Sequence, residues 1–530
     1  MNVLDIIPIH HDWRNCTEDT IVSVASWLQR DHELMYAESW GFSFDIRQWS
    51  NTGKLSSSLS ADFGNMFPLL AQYHGINVQI VENLCFQDTV DVVAGELAES
   101  RPVIVELDTY ECPWDSGFHN YHYPHTNLIV GYDEATRMYS LIDCFYQKQD
   151  IRISSKDCFS YDSSRNRVAV FKCSAQPEPV ADWRTIIQHA ARRIRGGEST
   201  YHSFHQMRSL AAILEQSPDL SGEFKHHKHI WMAPLLSVLN AISNGRRQFA
   251  AVLQYVNTRL QELDFHETVD ELHYAASQWS ILLSMVTKSY YSPRDRSLLH
   301  RAADKLRMIA DKEEQIAGQL LSMCEERATG RQTMSKSIIA DPVSGQADMQ
   351  FVELSDYFNN KGFDRSLSEE SKADLTLMGD YLLADDPSVE WKTERMEFSL
   401  PALNGSDYDN ISCAAQSIKL PAGHYSALAL VGCSECGSYG DQIELVYEDR
   451  SVSFLPIAFT DCYMEPLYGE TIVWSGRAAS RKNGHIQLNE SPAHVFTRNY
   501  TLDTTREIVG MRLPDCPNLH IFAMALYACR

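Results

Sequence analysis

Over residues 183–321 apolar side chains return at steps of three and four, and from residue 351 onward that rhythm gives way to short strand-like runs. Each rhythm buries a different surface, a stripe along a helix or one face of a sheet, so neither a single bundle nor a single sheet can use the whole chain. The helical rhythm is clearest through Leu299, Ala302, Leu306, Ile309, Glu313, Ile316 and Leu320, an apolar seam interrupted by one acid. With 530 residues the chain also exceeds the roughly 250–300 over which one core grows.

The first third mixes the two patterns. Ile21, Val24, Ala25 and Leu28 share one stripe of a helix beginning near Asn15, and strand-like runs follow at 103–107, 128–132, 139–142 and 167–171. Residues 326–350 lose all periodicity and collect Gly, Ser, Thr and Pro342, as a linker does. Beyond them strands are expected at 416–420, 425–431, 442–447, 452–457, 471–474 and 521–527, separated by turn signals such as Pro421-Ala422-Gly423 and Asn483-Gly484. The expected architecture is multi-domain α+β: a mixed domain over 1–174, a helical region over 175–325, a linker over 326–350 and an all-β sandwich over 351–530.

Seventy acidic against 46 basic residues give a formal charge of −24, which argues against a nucleic-acid partner and is compatible with a cationic substrate. Apolar runs such as 427–431 fall far short of the roughly 20 residues that span a bilayer, so no membrane partner is expected. The first residues carry neither a basic segment nor an apolar stretch of the export type, so a cytoplasmic location is expected. Its thirteen scattered cysteines are then expected to be mostly free, buried thiols.

One cysteine stands apart. Asn15 is a favoured N-cap and Glu18 lies three positions on, so Cys16 is expected at the first position of a capped helix. The helix dipole favours a thiolate there, and free backbone N–H groups can hold an oxyanion. His125 opens one strand of a hairpin whose turn lies at 133–137, and Asp143 closes the other, so antiparallel pairing brings imidazole and carboxylate together at the open end. A carboxylate on one ring nitrogen leaves the other free to take a thiol proton. Nucleophile, histidine and acid occur in the order used by papain-like folds, which makes the first domain an expected papain-like, cysteine-protease-type unit with Cys16, His125 and Asp143 as its catalytic residues. Asn15 and His11 are candidates for substrate or oxyanion contacts, and Asp108 becomes one through the family resemblance that follows. Cys112, His119, His122 and His125 fit no standard zinc spacing, Cys433-Ser434-Glu435-Cys436 has no second pair, and no nucleotide-binding glycine motif is present, so neither metal nor cofactor is expected.

Cys16 with its helix, Arg101-Pro-Val-Ile-Val-Glu-Leu-Asp108, and His125-Thr-Asn-Leu-Ile-Val-Gly-Tyr-Asp133 followed by Tyr139-Ser-Leu-Ile-Asp143 resemble the N-terminal domain of the butirosin biosynthesis protein H family. That domain is related to cysteine peptidases that remove double-glycine leader peptides. The resemblance, over residues 8–175, implies acyl transfer from an acyl or peptidyl carrier protein thioester to a small-molecule amine in a biosynthetic pathway. Water or an internal nucleophile in place of the amine would make the same residues a thioesterase, amidase or cyclase. The oxyanion Gln that papain-like enzymes usually place before the cysteine is absent here, with His10, His11 and Asn15 in that stretch. The last domain more loosely resembles β-sandwich modules appended to glycoside hydrolases, through Tyr357-Phe-Asn-Asn-Lys-Gly362, Ser417-Ile-Lys-Leu-Pro-Ala-Gly423 and Pro517-Asn-Leu-His-Ile-Phe522. That resemblance implies either glycoside binding, with Tyr425, Trp474 and Tyr500 as candidate stacking residues, or a packing unit through which the chain forms a homo-oligomer. If the Cys-His-Asp unit were idle, the chain would be a binding protein acting through this sandwich.

Overall fold

The Asn15 side chain accepts the backbone N–H of Glu18 at 2.9 Å, and a Glu18 carboxylate oxygen accepts the Asn15 N–H at 2.9 Å; this reciprocal cap starts α1 (Cys16–Trp27). The computed structural model describes residues 3–160, 162, 166–174, 183–196, 202–259, 264–325, 349–365, 367, 371–384, 391–393, 396–398, 408–482 and 485–529. The expected linker over 326–350 lies outside these residues, apart from Met349 and Gln350, which belong to the short strand Met349–Phe351. The Asn483-Gly484 turn also lies outside them.

Six strands after α1 form one sheet: β1 (Ile76–Glu82), β2 (Val103–Asp108), β3 (Pro124–Asp133), β4 (Met138–Asp143), β5 (Lys148–Ser154) and β6 (Arg167–Cys173). They pair antiparallel in the order β1-β6-β2-β3-β4-β5. One face receives α1, whose Ile21, Val22, Val24 and Ala25 are buried. The other receives α2 (Phe86–Ala98), whose Val93 and Leu97 join Val103, Val105, Ile129 and Leu141 in a separate apolar cluster. The β3–β4 hairpin is tied by Asp133, whose carboxylate accepts the Ala135 N–H at 2.9 Å and the Thr136 hydroxyl at 2.8 Å. Its register pairs Asp133 with Met138 and Leu128 with Ile142.

The middle of the chain is helical: α3 (Trp183–Ile194), α4 (Ser203–Glu215), α5 (Pro234–Arg259), α6 (His266–Tyr291) and α7 (Ser297–Glu325). The acid in the apolar seam of α7 has a structural explanation. Glu313 is fully buried, and its two oxygens accept the indole N–H groups of Trp40 (2.9 Å) and Trp279 (2.8 Å) and two guanidinium N–H groups of Arg246 (2.9 and 2.8 Å). A third Arg246 nitrogen donates to Gly41 O at 2.7 Å, so one saturated cluster fastens the first third of the chain to α5, α6 and α7.

The C-terminal region is an all-β sandwich. Its long strands are β7 (Ser417–Gly423), β8 (Tyr425–Ser434), β9 (Tyr439–Tyr447), β10 (Val452–Phe459), β11 (Thr471–Lys482), β12 (Ala493–Thr501), β13 (Ile508–Arg512) and β14 (Leu519–Ala528). One sheet is built on the order β11-β12-β8-β14, with short strands along its edges, and the other runs β7-β13-β9-β10. β9 shows the period-two burial of a sheet face: Ile443, Leu445 and Tyr447 are buried between the half-exposed Gln442, Glu444 and Val446. Pro421-Ala422-Gly423 closes β7 instead of forming a free turn, because the chain passes from one sheet to the other at His424. The helices dock on this sandwich through buried polar contacts, with Lys288 paired to Glu435 and Gln278 donating to Asp441 at 3.0 Å. Apolar packing continues unbroken from α1 through the helices into both sheets. Among the described residues no helix is long and apolar enough to cross a membrane.

Candidate functional site

Cys16 is the first residue of α1 and is half-buried. Its backbone N–H and that of Thr17 have no acceptor among the described residues, as expected for the first turn of a helix. The Thr17 hydroxyl meets that of Thr126 at 2.9 Å, which pins the head of α1 to β3 beside His125. Further along α1, Gln248 of α5 donates to Glu18 at 2.8 Å and holds the same turn from the helical side.

His125 and Asp143 lie just beyond the last paired residues of the hairpin, Leu128 and Ile142, at its open end. The His125 Nε2 stands 2.8 Å from Asp143 Oδ2. The same oxygen accepts the Trp114 indole N–H at 2.8 Å, and the other accepts the Tyr146 N–H at 3.0 Å, so the fully buried carboxylate is held from three sides. Phe145 and Tyr146 flank the imidazole at centroid distances of 6.0 and 5.5 Å. With Nε2 engaged by Asp143, Nδ1 is the ring nitrogen left for the interaction that His125 makes with the Cys16 thiol.

The electrostatics follow from these contacts. Burial alone would raise the Cys16 thiol, but the hydrogen bond and charge of His125, with help from Thr126, outweigh it and bring the thiol below its ordinary value. Burial would likewise lower His125, yet the bonds and charges of Asp143 and Cys16 raise it from 6.5 to about 10. Asp143 stays below the ordinary carboxylate value because His125, Tyr146 and Trp114 overcome its desolvation. All three shifts favour a thiolate–imidazolium pair braced by a carboxylate. Glu18 moves the other way, since burial raises its carboxyl to about 7.

The remaining sequence candidates sit around this trio. Asn15 uses its carboxamide oxygen as the helix cap. His11 is exposed, with its ring against Trp13 and its backbone N–H on Asp19 at 3.3 Å. It is the neighbouring His10 that turns inward: its Nδ1 lies 2.6 Å from the buried Asp19, and its ring packs edge-on against Phe145, the residue that also flanks His125. Asp108 ends β2 beside the site, where it caps the Tyr110 N–H at 3.1 Å and meets His122 Nδ1 at 2.8 Å. Those contacts, working against burial, keep its carboxyl below the usual range. Trp114 and Gln248 carry no sequence signal of their own, because each reaches the site through the fold and not through spacing. Among the described residues no group of three or more His, Cys, Asp or Glu side chains is arranged to hold a metal ion. In the sandwich, Tyr425, Trp474 and Tyr500 are buried, and the Tyr425 and Tyr500 hydroxyls bond to Pro421 and Ala458 of the fold itself.

A search of curated proteins finds no match to the chain. Residues 348–529 match the family model of the AziU2-like β-sandwich domain, to which this part of the chain is similar.

Proposed function

We infer that the first third of the chain is a papain-like Cys-His-Asp unit of the kind found in the butirosin biosynthesis protein H family, and that it transfers an acyl group from a carrier-protein thioester to an amine. The observation that carries this reading is the Cys16 thiol at a capped helix start, pinned beside His125 through Thr17 and Thr126, with the His125 Nε2 2.8 Å from a buried aspartate. In the first step the Cys16 thiolate attacks the thioester carbonyl, and the backbone N–H of Cys16 receives the oxyanion. The bond from the carbonyl carbon to the carrier sulfur breaks, and the departing thiolate takes the proton held by His125. In the second step an amine attacks the acyl-enzyme and gives its proton to His125, and the bond to Cys16 breaks. Asp143 holds the ring and stabilises the imidazolium in both steps.

The deciding experiment mixes the full-length protein with an acyl-loaded carrier protein and maps added mass by digestion and mass spectrometry. The acyl mass is expected on Cys16 and is expected to be absent from Cys16→Ala. Added amine should discharge it as an amide, whereas release as the free acid or as a ring would assign the site to hydrolysis or cyclisation. No adduct on the wild type, or undiminished turnover in Cys16→Ala, would sink the reading.

A further inference from the structure

The connection between β2 and β3 crosses the end of the sheet that carries His125. Register pairs Leu107 with His125 and Asp108 with Pro124, so residues 109–123 begin and end beside the reacting groups. The Trp114 indole ties this connection to Asp143 at 2.8 Å, and the Tyr123 carbonyl accepts the Thr109 N–H at 2.9 Å. Only Pro124 separates Tyr123 from His125, and a residue before proline is held extended, so about 7 Å of chain divides the two. Residues 225–232, which lead into α5, stand against this connection. Lys228 Nζ donates to the Asn120 carbonyl at 2.7 Å and to its Oδ1 at 3.1 Å. The Trp231 ring packs edge-on against Tyr121 and Tyr123 at centroid distances of 5.0 and 5.8 Å, and the His229 ring lies 5.2 Å from that of Tyr121.

Tyr123 and Trp231 nevertheless remain 45% exposed each. Aromatic rings held in one arrangement by their neighbours, yet open to water, make up the kind of patch that supplies the anchoring contacts of a protein–protein interface. Charge narrows the partner. Residues 225–232 carry Lys225, Lys228, three histidines and no acid, in a chain with 70 acidic side chains against 46 basic ones, and both lysines are exposed. A carrier-bound acyl donor brings the complementary sign, because the arm that holds its thioester is joined to the carrier through a phosphodiester. A second copy of this chain, paired face to face through the same patch, would instead set lysine against lysine.

We propose that the face formed by Tyr121, Tyr123, Trp231, Lys225 and Lys228 docks the carrier protein that presents the thioester to Cys16. The identity of the partner rests on the acyl-transfer reading, but docking can be measured without turnover. An acyl carrier protein and, separately, a peptidyl carrier protein, each dye-labelled and bearing its phosphopantetheine arm, are titrated with the full-length protein while fluorescence anisotropy is followed. Wild type and Cys16→Ala should bind one of the two alike. Trp231→Ala should weaken that binding by about thirtyfold, the scale of an interface hot spot. Lys228→Glu should weaken it by about tenfold at low ionic strength, and added salt should cost this variant less affinity than it costs wild type. The control is acylation of Cys16 by the same acyl group on N-acetylcysteamine, a small thiol that needs no docking face; both variants should react with it as wild type does. The docking face is overturned if neither carrier binds wild type more tightly than Trp231→Ala, or if Trp231→Ala loses the small-thioester reaction together with carrier binding. It is equally overturned if the wild type self-associates in a concentration-dependent way that Trp231→Ala abolishes, which would assign the face to a second copy. Acylation of Cys16 by the small thioester without carrier binding would remove the docking face and leave the cysteine reading standing; carrier binding through Trp231 with Cys16 unacylated by either donor would do the reverse.

Discussion

Replacing Glu313 should cost more than any surface substitution in this chain, and the structure shows why. Each of its oxygens accepts two hydrogen bonds, one from an indole and one from Arg246, inside a region closed to solvent. Glu313→Leu leaves the Arg246 charge uncompensated, at about 3–5 kcal/mol. It also strands the N–H groups of Trp40 and Trp279, at about 1–3 kcal/mol each. The sum, on the order of 5–11 kcal/mol, rivals the roughly 5–15 kcal/mol that holds a typical protein folded. Glu313→Gln keeps the shape and one acceptor oxygen but turns an amide toward donors, so about 3–5 kcal/mol should be lost. Pairing Glu313→Leu with Arg246→Met removes the orphaned charge and should recover most of its share of the loss. The assay is urea denaturation followed by tryptophan fluorescence, to which Trp40 and Trp279 contribute directly. A Glu313→Gln protein within about 1 kcal/mol of wild type would refute the view that this cluster fastens the first third of the chain to the helices.

Two further changes probe the neighbourhood of Cys16. Asp143→Asn removes a charge-assisted hydrogen bond worth about 1.5–3 kcal/mol, so alkylation of Cys16 by iodoacetamide at mildly acidic pH should slow by about ten- to a hundredfold; an unchanged rate would contradict the brace assigned to this carboxylate. Glu18, raised from 4.5 to about 7, keeps a proton in the folded state that the unfolded chain releases, so this group makes stability fall as pH rises through that window. The full effect, present above pH 7, is on the order of 3 kcal/mol. Glu18→Gln should abolish that contribution, read as a smaller difference between urea midpoints at pH 5 and pH 8; an equal difference in both proteins would refute it.

The start of α1 was legible because capping is local chemistry: Asn15 and Glu18 lie within one turn of Cys16, and the helix begins there. The meeting of His125 and Asp143 was legible for a related reason, since a short hairpin fixes which strand ends face each other. What escaped depends on distant chain. Glu18 is held by Gln248, 230 residues away, and Asp143 by the Trp114 indole from a loop with no pattern. Whether His10 or His11 turns inward is decided by the buried Asp19, and no spacing rule separates two adjacent histidines. The acid in the α7 seam was visible as an interruption, but its four donors come from α5, α6 and a residue far upstream. In the sandwich, residues 471–474 were legible as a strand, whereas its continuation to Lys482 was hidden by Ser475 and Gly476, which pair with β12 through backbone groups that any sequence supplies.

The account stands on the charge state of one sulfur. Iodoacetamide alkylation of the full-length protein, quantified at each cysteine by peptide mass mapping from mildly acidic to alkaline pH, reads that state directly. The thiolate–imidazolium pair predicts that Cys16 reacts fastest of the thirteen, with an onset of reactivity below the ordinary thiol value of 9.0 and a plateau that persists toward the His125 value of about 10. A Cys16 that becomes reactive only near the ordinary thiol value of 9.0, in step with the exposed cysteines, would contradict it.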